Sequence, residues 1–221
     1  MNYSKRNKKP WPTDRAMTQI YEKHLWGGAT HDYFSGEGSH DTKIVAPYLA
    51  AVQRFLTSFK QPLSVCDLGC GDFNIGKELV AYTKTYTGVD IVAPLIQRNI
   101  EKYSALNVCF LQQDIATDKL PKADCVIIRQ VLQHLCNNEI SNILHNIKEY
   151  KYAIITEHLP KHNEFTPNVD ILSGQGIRLK KQSGVVVTAA PFYLKTIKTE
   201  ELLTTNLDEG KGRIVTTLYY L

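Results

Sequence analysis

Within the 221-residue sequence, the stretch Val65-Cys66-Asp67-Leu68-Gly69-Cys70-Gly71-Asp72 is the one best equipped for chemistry. An apolar run runs into two glycines, and the carboxylates of Asp67 and Asp72 flank the turn. Glycines at a strand's carboxyl end let backbone approach a ligand closely, and open α/β sheets bind their ligands there. A dinucleotide turn reads G-x-G-x-x-G and seats a diphosphate on a helix N-terminus. Here the next glycine is Gly76, too far along, and two carboxylates are poor neighbours for a diphosphate. They favour a cation instead, an ammonium or a sulfonium. Asp90 ends a second apolar run, where an acid accepts hydrogen bonds from both hydroxyls of a ribose. Asp114, in Gln112-Gln113-Asp114-Ile115, follows a third and is placed to meet an adenine amino group. Together these acids describe a site for a positively charged adenosine derivative.

The elements that must position them follow from the hydrophobic pattern. Short strands are expected at 63–67, 85–90, 108–111, 124–128 and 152–156, with helices near 41–60, 75–82, 93–103 and 138–150. Asp41 is placed to cap the first of these helices. Strands alternating with helices imply right-handed βαβ units and a parallel sheet covered on both faces. The alternation stops near Glu157. Residues 158–190 hold scattered prolines and glycines and read as an irregular insertion. Runs at 192–203 and 213–221, joined across Asp208-Glu209-Gly210, read as a terminal hairpin. Ahead of the core, a short helix is expected from about 13 to 25, ended by Gly27-Gly28, with a Gly-rich loop over 29–40.

The arrangement resembles the class I S-adenosylmethionine-dependent methyltransferases over about residues 41–157 and the terminal hairpin. Asp67-Leu68-Gly69-Cys70-Gly71 matches that family's first motif, Asp90 its ribose-binding acid, and Asp114-Ile115 its adenine-contacting pair. The stretch from Ala123 to Leu135, ending Val131-Leu132-Gln133-His134-Leu135, is similar to the family's fourth strand and following turn. The resemblance implies a three-layer Rossmann-like α/β sandwich. Its sheet would be seven-stranded and mostly parallel, with a C-terminal antiparallel β-hairpin. It implies S-adenosylmethionine as cofactor, held by Asp67, Gly69, Cys70, Gly71, Asp72, Asp90, Ile91, Asp114 and Ile115, with Arg129 beside them. Upstream helices in this family fold over the cofactor as a lid. That gives residues 13–40 this role, with Tyr21 and Trp26 shielding the methyl group, packing the helix onto the body, or both.

The acceptor should meet the ends of the fourth and fifth strands. An alcohol acceptor must lose a proton, so a general base helps. His158 is the first candidate, His134 the second, with Glu157 beside them. Gln130, Gln133 and Arg178 are expected to contact the acceptor. Arg178 would pair with a carboxylate or phosphate, unless it is a solvated surface arginine. Arg129 could equally pair with an acidic acceptor or with a carboxylate at the sheet end. The neighbourhood of the fourth strand lacks the proline and aromatic pattern of DNA amino-methylating enzymes and the Pro-Cys nucleophile of cytosine enzymes.

Charge narrows the partners further. The net charge is +4, and four basic residues (Lys5, Arg6, Lys8, Lys9) sit in a ten-residue arm without an acid. The body is therefore electrostatically balanced, which disfavours a broad nucleic-acid face. No apolar run approaches the roughly 20 residues that span a bilayer, and the basic start is not followed by an apolar signal core. Five cysteines, with no pair or Cys/His cluster at zinc spacing, suggest buried thiols in a reducing compartment and no metal. Cys66, Cys109 and Cys125 are expected to be buried. The sequence reads as a cytoplasmic methyltransferase, monomeric or homodimeric. Its expected acceptor is a small polar metabolite or a sugar precursor, methylated on oxygen. RNA or protein methylation, or cofactor binding without chemistry, are the alternatives.

Overall fold

A computed structural model describes residues 11–162 and 164–221. The basic arm expected over 1–12 lies, but for its last two residues, outside the described residues. Seven strands form one sheet: β1 (Ser64–Leu68), β2 (Thr85–Asp90), β3 (Val108–Gln112), β4 (Cys125–Arg129), β5 (Tyr152–Leu159), β6 (Lys198–Asn206) and β7 (Arg213–Tyr220). Their order is β3-β2-β1-β4-β5-β7-β6. The first five are parallel, whereas β7 pairs antiparallel with both β5 and β6. The expected seven-stranded sandwich with its terminal hairpin is the fold observed.

Four α-helices flank the sheet: α1 (Thr13–Glu22), α2 (Thr42–Leu56), α3 (Ala93–Lys102) and α4 (Asn137–Asn146). Asp41 caps α2 as expected, accepting from the Lys43 N–H at 2.9 Å. The helix then buries Tyr48, Val52, Phe55 and Leu56 against one sheet face, where Val65, Cys125, Ile127 and Ile154 wait. The other face packs on α3 and α4 through Leu95, Ile140, Ile143 and Leu144. Strand order reverses between β1 and β4, and that switch point is where a doubly wound sheet opens its ligand crevice.

Several expected boundaries move. The helix expected near 75–82 is two 3₁₀ turns, Gly76–Glu78 and Val80–Tyr82. Phe73 explains this. It sits in the left-handed region at φ 62°, fully buried, with its ring packed on Tyr86, Tyr103 and Phe110. A Cβ at Gly76 would lie 2.2 Å from Phe73 Cε2. The ring therefore demands glycine at the position where a helix would be nucleating, and glycine weakens helices. α1 ends at Glu22 rather than near 25, with His24 at φ 48° turning the chain. β6 begins at Lys198, and 192–197 is irregular. β5 runs to Leu159, three residues further than expected. Cys66 and Cys125 are buried, but Cys109 is exposed on β3. Among the described residues no helix is long and apolar enough to cross a membrane.

Gly76→Ala is expected to lower the unfolding free energy by about 1–3 kcal/mol in urea melts, because the added methyl must displace a core ring. An unchanged urea midpoint would mean that Phe73 is not packed there.

Candidate active site

The turn after β1 is closed by its own protein partners. Gly69 and Cys70 both donate to the Val89 carbonyl, at 2.8 and 3.0 Å. Gly71 donates to Asp90 Oδ2 at 3.0 Å, and Val92 donates to Asp90 Oδ1 at 3.0 Å. Asp72 N–H donates to Ser35 Oγ at 2.9 Å. A phosphate cradle needs free backbone donors, and none remains among these four. The dinucleotide reading therefore fails on hydrogen bonds as well as on spacing. Gly69 and Gly71 take φ of 78° and 55°, which only glycine adopts without strain.

A cavity of about 370 Å³ opens above this turn. Its floor holds Asp67, Cys70, Asp90 and Ile91, and its far end Gln113, Asp114 and Ile115. From α1 and the loop after it come Thr13, Met17, Tyr21, Trp26 and residues 35–39. The turn after β4 adds Arg129, Gln130, Gln133 and His134. Thus most of the residues proposed for a cofactor converge on one space. Four buried polar atoms of wall residues, Trp26 Nε1, Tyr48 Oη, Gln113 Oε1 and Arg129 Nε, make no hydrogen bond of good geometry. Gln113 was not among the residues singled out from sequence, although it adjoins Asp114.

Asp67 is buried beneath the turn and accepts from the Tyr86 hydroxyl at 2.9 Å. Burial raises its pKa to about 7 against the pull of that hydrogen bond and of the Arg129 charge. Asp90 is also pushed up by burial, although its backbone donors oppose the shift. Each Asp90 oxygen keeps lone-pair capacity beyond its one backbone donor.

Asp72 is a correction. Its carboxylate does not face the cavity. Oδ2 accepts from Ser35 N–H at 2.9 Å and contacts His40 Nε2 at 2.6 Å, while Oδ1 accepts from Asn74 N–H. It clamps the N-terminal segment to the turn. Arg98 helps by gripping Asp32 through Nε and Nη2 at 2.6 and 2.8 Å. Arg129, stacked 4.7 Å from the Tyr48 ring centroid, donates to the Gly38 carbonyl, to Ser39 Oγ and to Gln130 Oε1. It joins the β4 end to the same segment.

The acceptor residues divide. His158 does not reach the cavity. Its Nε2 donates to the Lys211 carbonyl at 2.6 Å, on the hairpin. Glu157 is buried on the opposite face of β5, and neither oxygen has a hydrogen bond of good geometry. Burial raises its pKa to about 8, against the nearby Arg178 charge and the Leu132 and Gln133 amides. Arg178 is neither solvated nor free to bind an acceptor. It is 1% exposed, and its guanidinium donates to the carbonyls of Val169, Leu132, Gln133 and Leu135 and to Asn137 Oδ1. It fastens the insertion to the turn after β4.

His134 alone of the proposed bases lines the cavity. Its Nδ1 lies 3.2 Å from the Gly174 carbonyl, so Nδ1 carries the proton and Nε2 the lone pair. Gln133 Nε2 lies 3.3 Å from that Nε2, and Gln133 Oε1 accepts from the His158 N–H. Burial pulls the His134 pKa down to about 4, so the ring is neutral near pH 7. The Trp26 ring lies 4.9 Å away.

Comparison with known proteins agrees with this geometry. The family described as methyltransferase domain matches residues 65–150, from β1 through the helical layer before β5. The chain thus carries a stretch similar to methyltransferase domains, spanning less than half of its length. Uncharacterized methyltransferases of Mycobacterium bovis and Mycobacterium tuberculosis are 34% identical over 73 residues, 32% of this chain. The match spans only 37% of those relatives. Among solved structures, the N-methyltransferase NodS of Bradyrhizobium japonicum, in complex with S-adenosylhomocysteine, superposes with a TM-score of 0.69. It is 12% identical, covering 93% of this chain and 98% of that one. The magnesium protoporphyrin IX methyltransferase of Synechocystis, with bound S-adenosylmethionine, gives 0.58 at 18% identity, covering 97% and 100%. These likenesses establish the methyltransferase fold, with the glycine turn and Asp90 at its switch point.

Asp67 makes the protein's stability depend on pH. Its folded pKa lies above the ordinary carboxylate value, so its stabilising contribution is complete below about pH 4 and is lost as pH rises through 7. Asp67→Asn is therefore expected to gain on the order of 2 kcal/mol over wild type at pH 8.5 and much less at pH 5. Urea melts at both pH values check this, and equal gaps at both would contradict it.

Proposed function

We propose that the protein transfers the methyl group of S-adenosylmethionine to a small polar molecule, in a reducing, cytoplasmic setting suited to its five free thiols. The observation that carries this reading is the carboxylate-lined cavity above a glycine turn whose backbone donors are all engaged. Such a wall suits a cation and rejects a phosphate. The residues present fit that cofactor. Asp90 would take the ribose hydroxyls, Asp114 and Gln113 the adenine edge between Ile91 and Ile115, and Asp67, Gly69 and Cys70 would flank the amino-acid end. When bound, S-adenosylmethionine supplies an electrophilic methyl group on a positively charged sulfur.

The chain's own residues then have distinct tasks. Residues 13–40 act as the lid, with Tyr21 and Trp26 excluding water over the cavity. The Asp72 clamp and the Arg129 contacts keep that lid down. Positioning supplies much of the rate of an in-line displacement. For a hydroxyl acceptor, His134 Nε2 is placed to receive the proton, since its neutral form predominates near pH 7. Gln130 and Gln133 orient the acceptor. NodS is an N-methyltransferase and the Synechocystis enzyme a magnesium protoporphyrin IX methyltransferase, so the shared fold does not choose an acceptor. A metabolite or sugar precursor fits a cavity of this size, closed by a lid, better than RNA or protein does.

Asp90→Ala is expected to weaken S-adenosylhomocysteine binding at least a hundredfold in calorimetry, and unchanged affinity would overturn the assignment. Incubation with radiolabelled S-adenosylmethionine and cell extract should label a small-molecule fraction. His134→Ala should abolish that labelling while cofactor affinity persists, and His158→Ala should retain it. The reverse pattern would return the role of base to His158.

A further inference from the structure

Two carboxylates on the cavity wall, Glu37 and Glu139, have no role in holding the cofactor; Glu37 is exposed to solvent, whereas Glu139 is half-buried. Glu139, in the first turn of α4, lines the cavity beside Thr13, Leu135, Gln175 and Ile177. Its Oε1 accepts from the Thr13 hydroxyl. Its Oε2 accepts from the Ser173 hydroxyl and, at 3.3 Å, from the Cys136 thiol. All three donors are neutral, and among the described residues no lysine, arginine or histidine forms an ion pair with it. A carboxylate has about four lone-pair sites, so one on Oε1 is still open. The helix N-terminus supports a negative charge at this position.

The rest of the wall carries one cationic side chain. Arg129 is the one arginine or lysine lining the cavity among the described residues. Its terminal nitrogens are engaged by Gly38, Ser39 and Gln130. Arg178, which the sequence offered as an anion receptor, is buried and fully occupied. His134 is neutral, and its ring and Trp26 add aromatic surface to the same wall. A carboxylate with open capacity, in a cavity that also holds an indole, is chemistry that recognises an ammonium ion. An anionic acceptor would enter a cavity lined by Glu37, Asp67, Asp90, Asp114 and Glu139 that offers it only the buried Nε of Arg129.

We infer that the acceptor carries a protonated amine and that Glu139 anchors it. This rests on the methyl-transfer reading, because the acceptor shares its cavity with the cofactor. It goes beyond that reading by fixing the acceptor's charge. The amine is the handle; the methylated atom can be a hydroxyl of the same molecule, as in an amino alcohol or an amino sugar. The link from Thr13 to Glu139 also ties α1 to the wall, so the anchored amine would meet the carboxylate where the lid closes.

Trp11 and Trp26 are the chain's two tryptophans. Trp11 is exposed, so Trp11→Phe leaves Trp26 as the single emitting reporter on the cavity wall. That protein, saturated with S-adenosylhomocysteine, is titrated with n-butylammonium, n-butanol and n-butyrate while emission is followed. The ammonium is expected to bind about tenfold or more tightly than the alcohol, with butyrate weakest. Glu139→Gln should erase the preference for ammonium and leave cofactor affinity within about twofold. Thr13→Val, which removes the tie to α1 but keeps the carboxylate, should preserve it. Equal binding of ammonium and alcohol by the parent protein overturns the inference, as does a preference that survives Glu139→Gln or disappears in Thr13→Val. Failure to bind S-adenosylhomocysteine at all would instead refute the cofactor reading, so the two failures are separable.

Discussion

The Asp90 carboxylate holds the site together. It accepts the Gly71 N–H from the β1 turn and the Val92 N–H from the chain leading into α3. Two crossings of the sheet are thereby locked at the switch point. The same bonds remove the donors that a phosphate would need and leave carboxylate oxygen facing the cavity. The turn becomes a floor suited to a cation because of what its hydrogen bonds already do. Burial makes this costly, since it raises the pKa of both Asp67 and Asp90. A positively charged ligand offsets that cost, so the strain of the empty floor favours the ligand that fits it.

One residue beyond Gly71, the chain turns from floor to roof. Asp72 sends its side chain to Ser35, His40 and Asn74, so the N-terminal segment is fastened one residue past the glycine turn. A Cβ on Gly71 would lie 2.4 Å from Ser35 Oγ, which shows how closely the two layers approach. Arg98 and Arg129 secure the same segment from α3 and β4. Arg178 does comparable work on the acceptor side. By capturing four carbonyls it sets the path of the turn bearing Gln133 and His134 and binds the insertion to it. Burial pushes the pKa of nearby Glu157 up to about 8, with the Arg178 charge opposing the shift.

Much of the fold was legible because it depends on period and punctuation. The glycine turn, the acids at the ends of β2 and β3, and the apolar runs of β1 and β4 all lie where local pattern places them. Asp90, Asp114, Gly69 and Gly71 therefore reach the cavity as expected. His158 misled for a specific reason. Pattern ended β5 at Thr156 and left the histidine in a loop. In the structure β7 pairs with β5 as far as Leu159, opposite Arg213. Strand alternation then sends Glu157 to one face and His158 to the hairpin. The helix expected at 75–82 failed because Phe73, far from its packing partners in sequence, needs Gly76 against its ring.

The sequence by itself determined the βαβ alternation, the ligand turn and the acidic character of the cofactor floor. Those properties live in short windows, where periodicity and glycine act locally. Only the tertiary structure decided which charged side chains face the cavity. Asp72, Arg178 and Glu139 are all polar and adjacent to plausible sites, and no window separates them. Asp72 is claimed by the N-terminal segment and Arg178 by carbonyls 43 to 46 residues away on the β4 turn. Glu139 keeps an open lone pair because its three partners, drawn from α1, the insertion and its own helix turn, are neutral donors. Burial and long-range hydrogen bonding set that division, and both depend on the chain having already folded.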